Sequence, residues 1–267
     1  MWRANRRSNV YIAEVEIQQG RHYLRTLQTG QELPGHEEPF QRLTNLLKAR
    51  RFSAAAIDAP FSVPRKYLPD NNHQALLEFV AAMKAPKDWP FPAAQDFVRG
   101  VLSGRSLVSK KPLRETELAW KGKHINVRST LWAGPRGGAA MTAACLTLLH
   151  RAGCPIWPWD PADHDGLLIE AFPAAQLYHW GMKYQRYNGD KKESLKNRKA
   201  LVAFLSELIE IPGRLKERME ETADALDAVV CAFAAIAVST GRLLHSPSTL
   251  DSPSEGQIAV HDAIIGH

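Results

Sequence analysis

Four carboxylates stand where they could do chemistry: Asp58, Glu170, Asp224 and Asp227. Asp224 and Asp227 lie in residues 222–239, Thr-Ala-Asp-Ala-Leu-Asp-Ala-Val-Val-Cys-Ala-Phe-Ala-Ala-Ile-Ala-Val-Ser, an apolar run of helix-forming composition. Their i, i+3 spacing puts both on one helical face. No Lys, Arg or His occurs in the run. A buried, ionised carboxylate is costly unless it is paired or bound to metal. Either Asp224 caps the helix and Asp227 meets a cation from elsewhere in the fold, or the two form a metal-binding face. Asp58 closes Ala54-Ala-Ala-Ile-Asp58-Ala-Pro, and Glu170 stands in Leu167-Leu-Ile-Glu170-Ala-Phe-Pro. Both follow apolar strand-like segments, and open α/β sheets gather functional residues beyond the carboxyl ends of their strands. A carboxylate there is also an ordinary turn residue. Asp160, Asp163, His164 and Asp165 are clustered, but their Pro-Ala-Asp-His-Asp-Gly setting reads first as a turn. Phosphate-loop, dinucleotide, nucleophile-elbow and H-E-x-x-H motifs are all missing.

The elements that must position these groups form an α/β pattern. Asn9–Ile17 and His22–Leu27 read as a hairpin about Gln18-Gln19-Gly20. Phe40–Arg51 has helical spacing, and Ala54–Asp58 is a short strand. Residues 60–135 carry eight of the 17 prolines and read as an insertion, with one clear helix near His73–Lys84. Gly137–Arg151 is a helix ended by Gly153, and Pro155–Trp159 and Leu167–Phe172 are strand candidates. Leu195–Ile211 is amphipathic, and Pro212 opens a final helix running to about Ser239.

The charge is uneven. The chain has 267 residues and a net charge of +6, yet residues 99–136 alone hold nine cations against two Glu. Residues 183–199 add seven cations against Asp190 and Glu193. Basic stretches interleaved with Trp120, Trp132, Tyr184 and Tyr187 suit a phosphate backbone with stacked bases, or else make solvated loops. The length supports one large domain or two small ones. Cys145, Cys154 and Cys231 form no C-x-x-C pair, which points to a reducing cytoplasm and away from a cysteine-built zinc site. The basic opening Met1–Ser8 lacks the apolar core of a signal peptide, and no apolar run reaches the length of a membrane span, so a soluble, cytoplasmic chain is expected.

Ile57-Asp58-Ala-Pro-Phe-Ser-Val-Pro, Ile169-Glu170-Ala-Phe-Pro, Asp224-Ala-Leu-Asp227-Ala and Ser254-Glu-Gly-Gln-Ile258 occur in an order that resembles domain-of-unknown-function family 429. These are predicted nucleases with a ribonuclease H-like fold: a mixed sheet flanked by helices. Arg114-Glu-Thr-Glu117 is similar to the family's Arg-containing motif, with Glu117 in place of the usual Asp. The resemblance spans nearly the whole chain and implies a single domain over 1–267 with 60–135 inserted. Family members open with a strand ending in Gly-x-Asp. Here no Asp precedes Asp58, and Asn9–Ile17 matches the family's second strand. The expected sheet therefore lacks its first strand and shows a gap between Asn9–Ile17 and Ala54–Asp58, unless an N-terminal extension supplies the strand and its Asp.

The chemistry implied is two-metal phosphodiester hydrolysis, with Mg²⁺ or Mn²⁺ on oxygen ligands. Asp58 and Asp227 would be direct ligands, with Asp224 and Glu170 beside them. Lys110, Lys111, Arg114, Lys121 and Lys123 would hold nucleic-acid phosphates. A catalytically defective member that binds nucleic acid or protein is the alternative. An ATP-handling relative of the same fold is disfavoured by the lack of a Gly-rich phosphate loop.

Overall fold

The computed structural model describes residues 10–107, 109–244 and 254–262. Met1–Ser8 and Asn9 lie outside the described residues. The chain is mixed α/β: two short sheets with helices on both faces. Strand β1 (Tyr11–Gln18) pairs antiparallel with β2 (Arg21–Thr29). Gln19 and Gly20 turn the hairpin at φ of 50° and 76°, the left-handed pair that matches strand twist. Register shifts between Glu14 and Val15, a bulge that bends β1. Strand β3 (Ala54–Ile57) pairs parallel with β4 (Leu167–Glu170), setting Ile57 opposite Glu170.

Helix α1 (Pro39–Lys48) opens with Pro at its first position, where no backbone donor is lost, and buries Phe40, Leu43 and Leu47. Helices α2 (His73–Ala82) and α3 (Ala94–Leu102) arise within residues 60–135, as does α4 (Glu115–Gly122). The first two pack on α5 (Ala139–Ala152), which ends at left-handed Gly153. The remaining helices are α6 (Pro173–His179), α7 (Lys192–Leu208), α8 (Gly213–Glu221) and α9 (Ala223–Thr240). The expected single helix from Pro212 is two helices. Thr222 is extended (φ −138°, ψ 136°), and its hydroxyl accepts the Asp224 backbone N–H at 3.3 Å. Thr222 therefore supplies the cap expected of Asp224. The expected strand at Pro155–Trp159 is a single bridge, Ile156 to Leu168, because the Asp160 carboxylate turns the chain back onto the Ile156 N–H at 2.7 Å.

Helix α9 organises the molecule. It packs on β1 and β3, and more lightly on β2 and β4. Cys231, Ala234, Ala235 and Val238 meet Leu167 and Ile169 of β4 and Ala54 and Ala56 of β3. Val229, Val230 and Phe233 join a second cluster with Leu24 and Leu27 of β2 and Tyr11, Ala13 and Val15 of β1. The opposite faces of both sheets, through Val10, Ile12, Ala55 and Ile57, back onto the cluster built by α1, α2, α3 and α5. By length and apolarity alone α9 could also cross a bilayer, against the sequence expectation of no such run. Here both sheets and α6, α7 and α8 cover it.

The two sheets do not join. Among the described residues β1 bonds only to β2, and β3 only to β4. Their outer edges are continued: Glu210 exchanges hydrogen bonds with His22 and Leu24 of β2, and Pro155–Trp157 with Leu168 of β4. Among the described residues the inner edges have no strand partner, although α9 spans both. All four residues of β3 are only half-buried despite packing on both faces. Their exposure therefore lies along the unpaired edge. A strand edge between two covered layers is where unsatisfied backbone groups cost most.

Candidate active site

The parallel β3–β4 pair ends in Asp58 and Glu170. Hydrogen bonds to the Ile57 carbonyl from Ala59 (2.8 Å) and Ala171 (3.0 Å) fix the turn after β3. The two carboxylates then take different roles.

Glu170 is buried and points into Arg114, which is 1% exposed. The guanidinium clasps it bidentately, with Nη1 to Oε2 at 2.8 Å and Nη2 to Oε1 at 2.5 Å. The same guanidinium donates to Glu117 from Nε (3.1 Å) and Nη2 (3.0 Å), and to the Glu255 carbonyl (3.2 Å). Glu170 Oε2 also accepts the Phe61 N–H at 3.0 Å. The Glu255 carboxylate accepts the backbone N–H groups of Arg65 (2.5 Å) and Glu115 (2.6 Å). Burial pulls the Arg114 pKa down, but Glu170 and Glu117 outweigh it and hold the group charged. At Glu117, burial prevails and raises the pKa despite Arg114. Glu170 was expected among the metal ligands and Arg114 among the phosphate contacts; the structure pairs them with each other. They clamp β4, the Asp58 loop, α4 and the 254–258 segment together.

His73 completes this support. Its ring stacks on Trp159 with centroids 3.5 Å apart, and its Nε2 donates to the Phe61 carbonyl at 2.7 Å. Burial lowers its pKa to about 4, so it is neutral near pH 7. Gly256 (φ +78°) lies against the same indole. A Cβ there would come 2.8 Å from Trp159 Cη2 and 3.6 Å from Glu170 Oε2. Gly256→Ala is expected to destabilise the chain by about 1–3 kcal/mol, through strain and overpacking at once. An unchanged denaturation midpoint would contradict that. A cavity of about 640 Å³ beside His73, Trp159 and Asp160 includes neither Asp58 nor Asp227 in its walls.

Asp58 and Asp227 face each other instead. The Cys231 thiol, one turn beyond Asp227 on α9, accepts from the Asp58 backbone. Burial raises Asp58 to about 7, although water reaches part of the group; Arg128 works against the shift, and Asp224 and Glu170 add to it. Burial also raises Asp227 well above the carboxylate range, with Asp58 the next cause. Among the described residues no cation bonds Asp227, unlike the alternative in which it meets one from elsewhere in the fold. Its Oδ1 accepts the Tyr187 hydroxyl at 2.8 Å. Asp224 is exposed one turn earlier, and desolvation raises its pKa. Arg128 and Tyr187 were not singled out in the sequence as site residues. Arg128 is one of the nine cations of residues 99–136, and Tyr187, read as a stacking aromatic, is buried against Asp227 instead; each reaches the carboxylates from a distant part of the chain.

Divalent ions such as Mg²⁺ are commonly held by one or two carboxylates, with water and substrate phosphate filling the shell. Asp58 and Asp227, crowded and short of counter-charge, fit one such ion. A two-ion site needs more. Among the described residues no three His, Cys, Asp or Glu come together as a ready metal cluster.

The cations of the expected basic face differ in their partners. Lys110, Lys111, Lys121, Lys123, Arg128 and Arg136 form no ion pair among the described residues, whereas Arg99 pairs with Asp96. In residues 183–199 four of the seven cations are engaged: Lys183 bonds Asn197, Arg186 faces Glu193, Lys199 faces Glu220, and Arg198 is buried on backbone carbonyls; Lys191, Lys192 and Lys196 form no ion pair among the described residues.

Residues 6–251 match the family described as Protein of unknown function (DUF429). The chain belongs to that family. No curated protein and no solved structure matches it. In this DUF429 chain the Asp-Ala-Pro and Asp-Ala-Leu-Asp motifs meet at one place, while the Arg-x-x-Glu motif and Glu170 brace it from behind.

The raised carboxylates carry a pH dependence. A carboxyl whose pKa rises on folding, from 3.8 to about 7 for Asp58, holds its proton more tightly when folded, so stability falls as pH climbs through that window. His73, lowered from 6.5 to about 4, acts oppositely: its contribution is present above 6.5 and is lost as pH falls toward 4. Comparing parent with variant removes the histidine contribution. In chelator, Asp58→Asn is expected to match the parent near pH 4 and to become increasingly more stable up to about pH 8. A stability difference that does not change with pH would contradict the raised pKa of Asp58.

Proposed function

We infer that this chain is a metal-dependent nuclease of ribonuclease H-like architecture, with Asp58 and Asp227 as the ligands of a Mg²⁺ or Mn²⁺ ion. One observation carries the reading. Two carboxylates from different elements converge, each with its pKa raised by desolvation and Asp227 raised further by Asp58, and among the described residues no cation bonds either of them. Such a pair is poised for a divalent ion. Arg128, the cation whose charge acts on Asp58, is placed to draw a phosphodiester toward the pair. When bound, the ion would polarise the phosphate and lower the pKa of a water. The chain's own contributions are to hold that water's acceptor, to orient the phosphate through Arg128, and to keep Asp227 aimed through Tyr187.

The inner edges of β1 and β3, without a strand partner among the described residues, suit one further strand between them, arriving N-terminal to β1, as the family resemblance implies. It would pair on both sides beneath α9. Ending beside Asp58, it could bring the additional carboxylate that a two-ion site requires. The absence of a third ligand among the described residues favours a second reading for the chain by itself: a catalytically defective member that binds nucleic acid.

The test is cleavage of single-stranded and duplex oligonucleotides with Mn²⁺ or Mg²⁺, with and without that strand supplied as an N-terminal extension. Cleavage that falls at least about 100-fold in Asp227→Asn supports the nuclease. Binding without cleavage in either form supports the defective member. Neither binding nor cleavage removes both readings.

A further inference from the structure

We propose that the face built by residues 109–138 is a track for single-stranded nucleic acid, in which Trp132 stacks one base and Lys110 and Lys111 take the flanking phosphates. This rests on the nucleic-acid reading of the same site and names its substrate class. Of the two tryptophans in this basic stretch, Trp120 is 5% exposed and lies in a core cluster, so it cannot receive a base. Trp132 is half-buried and reaches solvent. The ammonium groups of Lys110 and Lys111 lie over its ring at 5.4 and 5.3 Å.

The ring is held rigidly. The indole N–H donates to the Pro135 carbonyl at 3.3 Å, and Gly134 packs so closely that a Cβ there would lie 2.4 Å from Trp132 Cζ2. The backbone N–H groups of Trp132 and Gly138 both donate to the Ser129 carbonyl, at 3.3 and 3.0 Å. Gly137 packs so closely that a Cβ there would lie 1.7 Å from the Trp132 carbonyl oxygen. Ser129 Oγ donates to the Pro112 carbonyl at 2.6 Å, tying the loop to the Lys110–Lys111 segment. Platform and cations therefore form one unit. Without a ligand the lysines rest over the indole. A base stacked on an indole is held more strongly than an exposed ammonium, so it can displace them toward the phosphates on either side. Arg128 begins the same loop four residues earlier, and its charge acts on Asp58, which links this loop to the carboxylates. A duplex keeps its bases stacked inside and cannot use the platform.

The test uses fluorescence anisotropy in chelator, so that cleavage plays no part. The probes are a labelled oligo-dT about 12 nucleotides long and a hairpin duplex of equal length. The strand is expected to bind at least about tenfold tighter than the duplex, and Trp132→Ala to weaken it about tenfold. Lys110→Gln/Lys111→Gln should lower the salt slope by about 1.4, two single-strand phosphate contacts. Lys192→Gln/Lys196→Gln, on the other basic stretch, should change nothing. Equal affinity for strand and duplex overturns the proposal, as does parental binding by either the Trp132 or the Lys110/Lys111 variant. If Trp132→Ala does not fold, the surface lysine pair decides alone. Strand binding as expected, together with a Mn²⁺ response that Asp227→Asn leaves unchanged, sinks the nuclease reading and keeps the track.

Discussion

Arg114→Met is expected to destabilise the chain by about 3–5 kcal/mol, because it strands two buried carboxylates, Glu117 and Glu170, that Arg114 now neutralises. Against a typical total of about 5–15 kcal/mol this is a large share. The melting temperature should fall by roughly 6–20 °C for a domain of this size. The damage should be relieved by removing the orphaned charge as well. Arg114→Met/Glu170→Leu should recover a substantial part of the loss, since an apolar replacement of a buried ion pair is often neutral. Part will persist, because Glu170 also holds the Phe61 N–H and so the loop that carries Asp58. Thermal melts of the parent, both single variants and the double variant close the cycle. If Arg114→Met melts with the parent, Arg114 is not the clamp described, and a solvent-facing phosphate role returns.

Supplying a strand between β1 and β3 should have an effect of similar size and opposite sign. An N-terminal extension of β-forming residues that ends in Gly-x-Asp would bond to two bare edges at once. Each ladder bond is worth only about 0.5–1.5 kcal/mol net, and ordering the strand offsets part of that. Even a surplus of about 2 kcal/mol would raise the melting temperature by roughly 4–8 °C. The same extension interrupted by prolines, which cannot donate to either neighbour, should give no gain. Equal melting of both extended forms and the parent would mean that the edges are not a strand site, and that the half-buried β3 is complete as it stands.

Much of this arrangement was legible in the sequence, for identifiable reasons. The i, i+3 carboxylates in an apolar run marked Asp224 and Asp227, and a strand that stops at Asp-Ala-Pro marked Asp58. Those signals are local. What was missed depends on distant partners. Glu170 looked like Asp58, an acid after an apolar strand, and only Arg114, 56 residues upstream, makes it structural. Tyr187 meets Asp227 across 40 residues. The break at Thr222 hid inside continuous helical periodicity; an extended β-branched residue whose hydroxyl caps the next helix was the available signal. Pro155–Trp159 had strand composition, but Asp160 folds it back after one bridge. α3 and α4 escaped notice because each is a short helix in a proline-rich, basic stretch. The apolar length of α9 matched a membrane span only because it must cover two sheets at once.

The central claim is that Asp58 and Asp227 together hold a divalent cation. Mn²⁺ titration followed by thermal melting at about pH 7.5, where the ion competes with the protons that burial favours, tests it most directly. The account predicts a saturable rise in melting temperature for the parent chain that vanishes in Asp58→Asn and in Asp227→Asn and survives in Glu117→Gln. No rise in the parent at millimolar Mn²⁺, or an equal rise in both Asn variants, would contradict it.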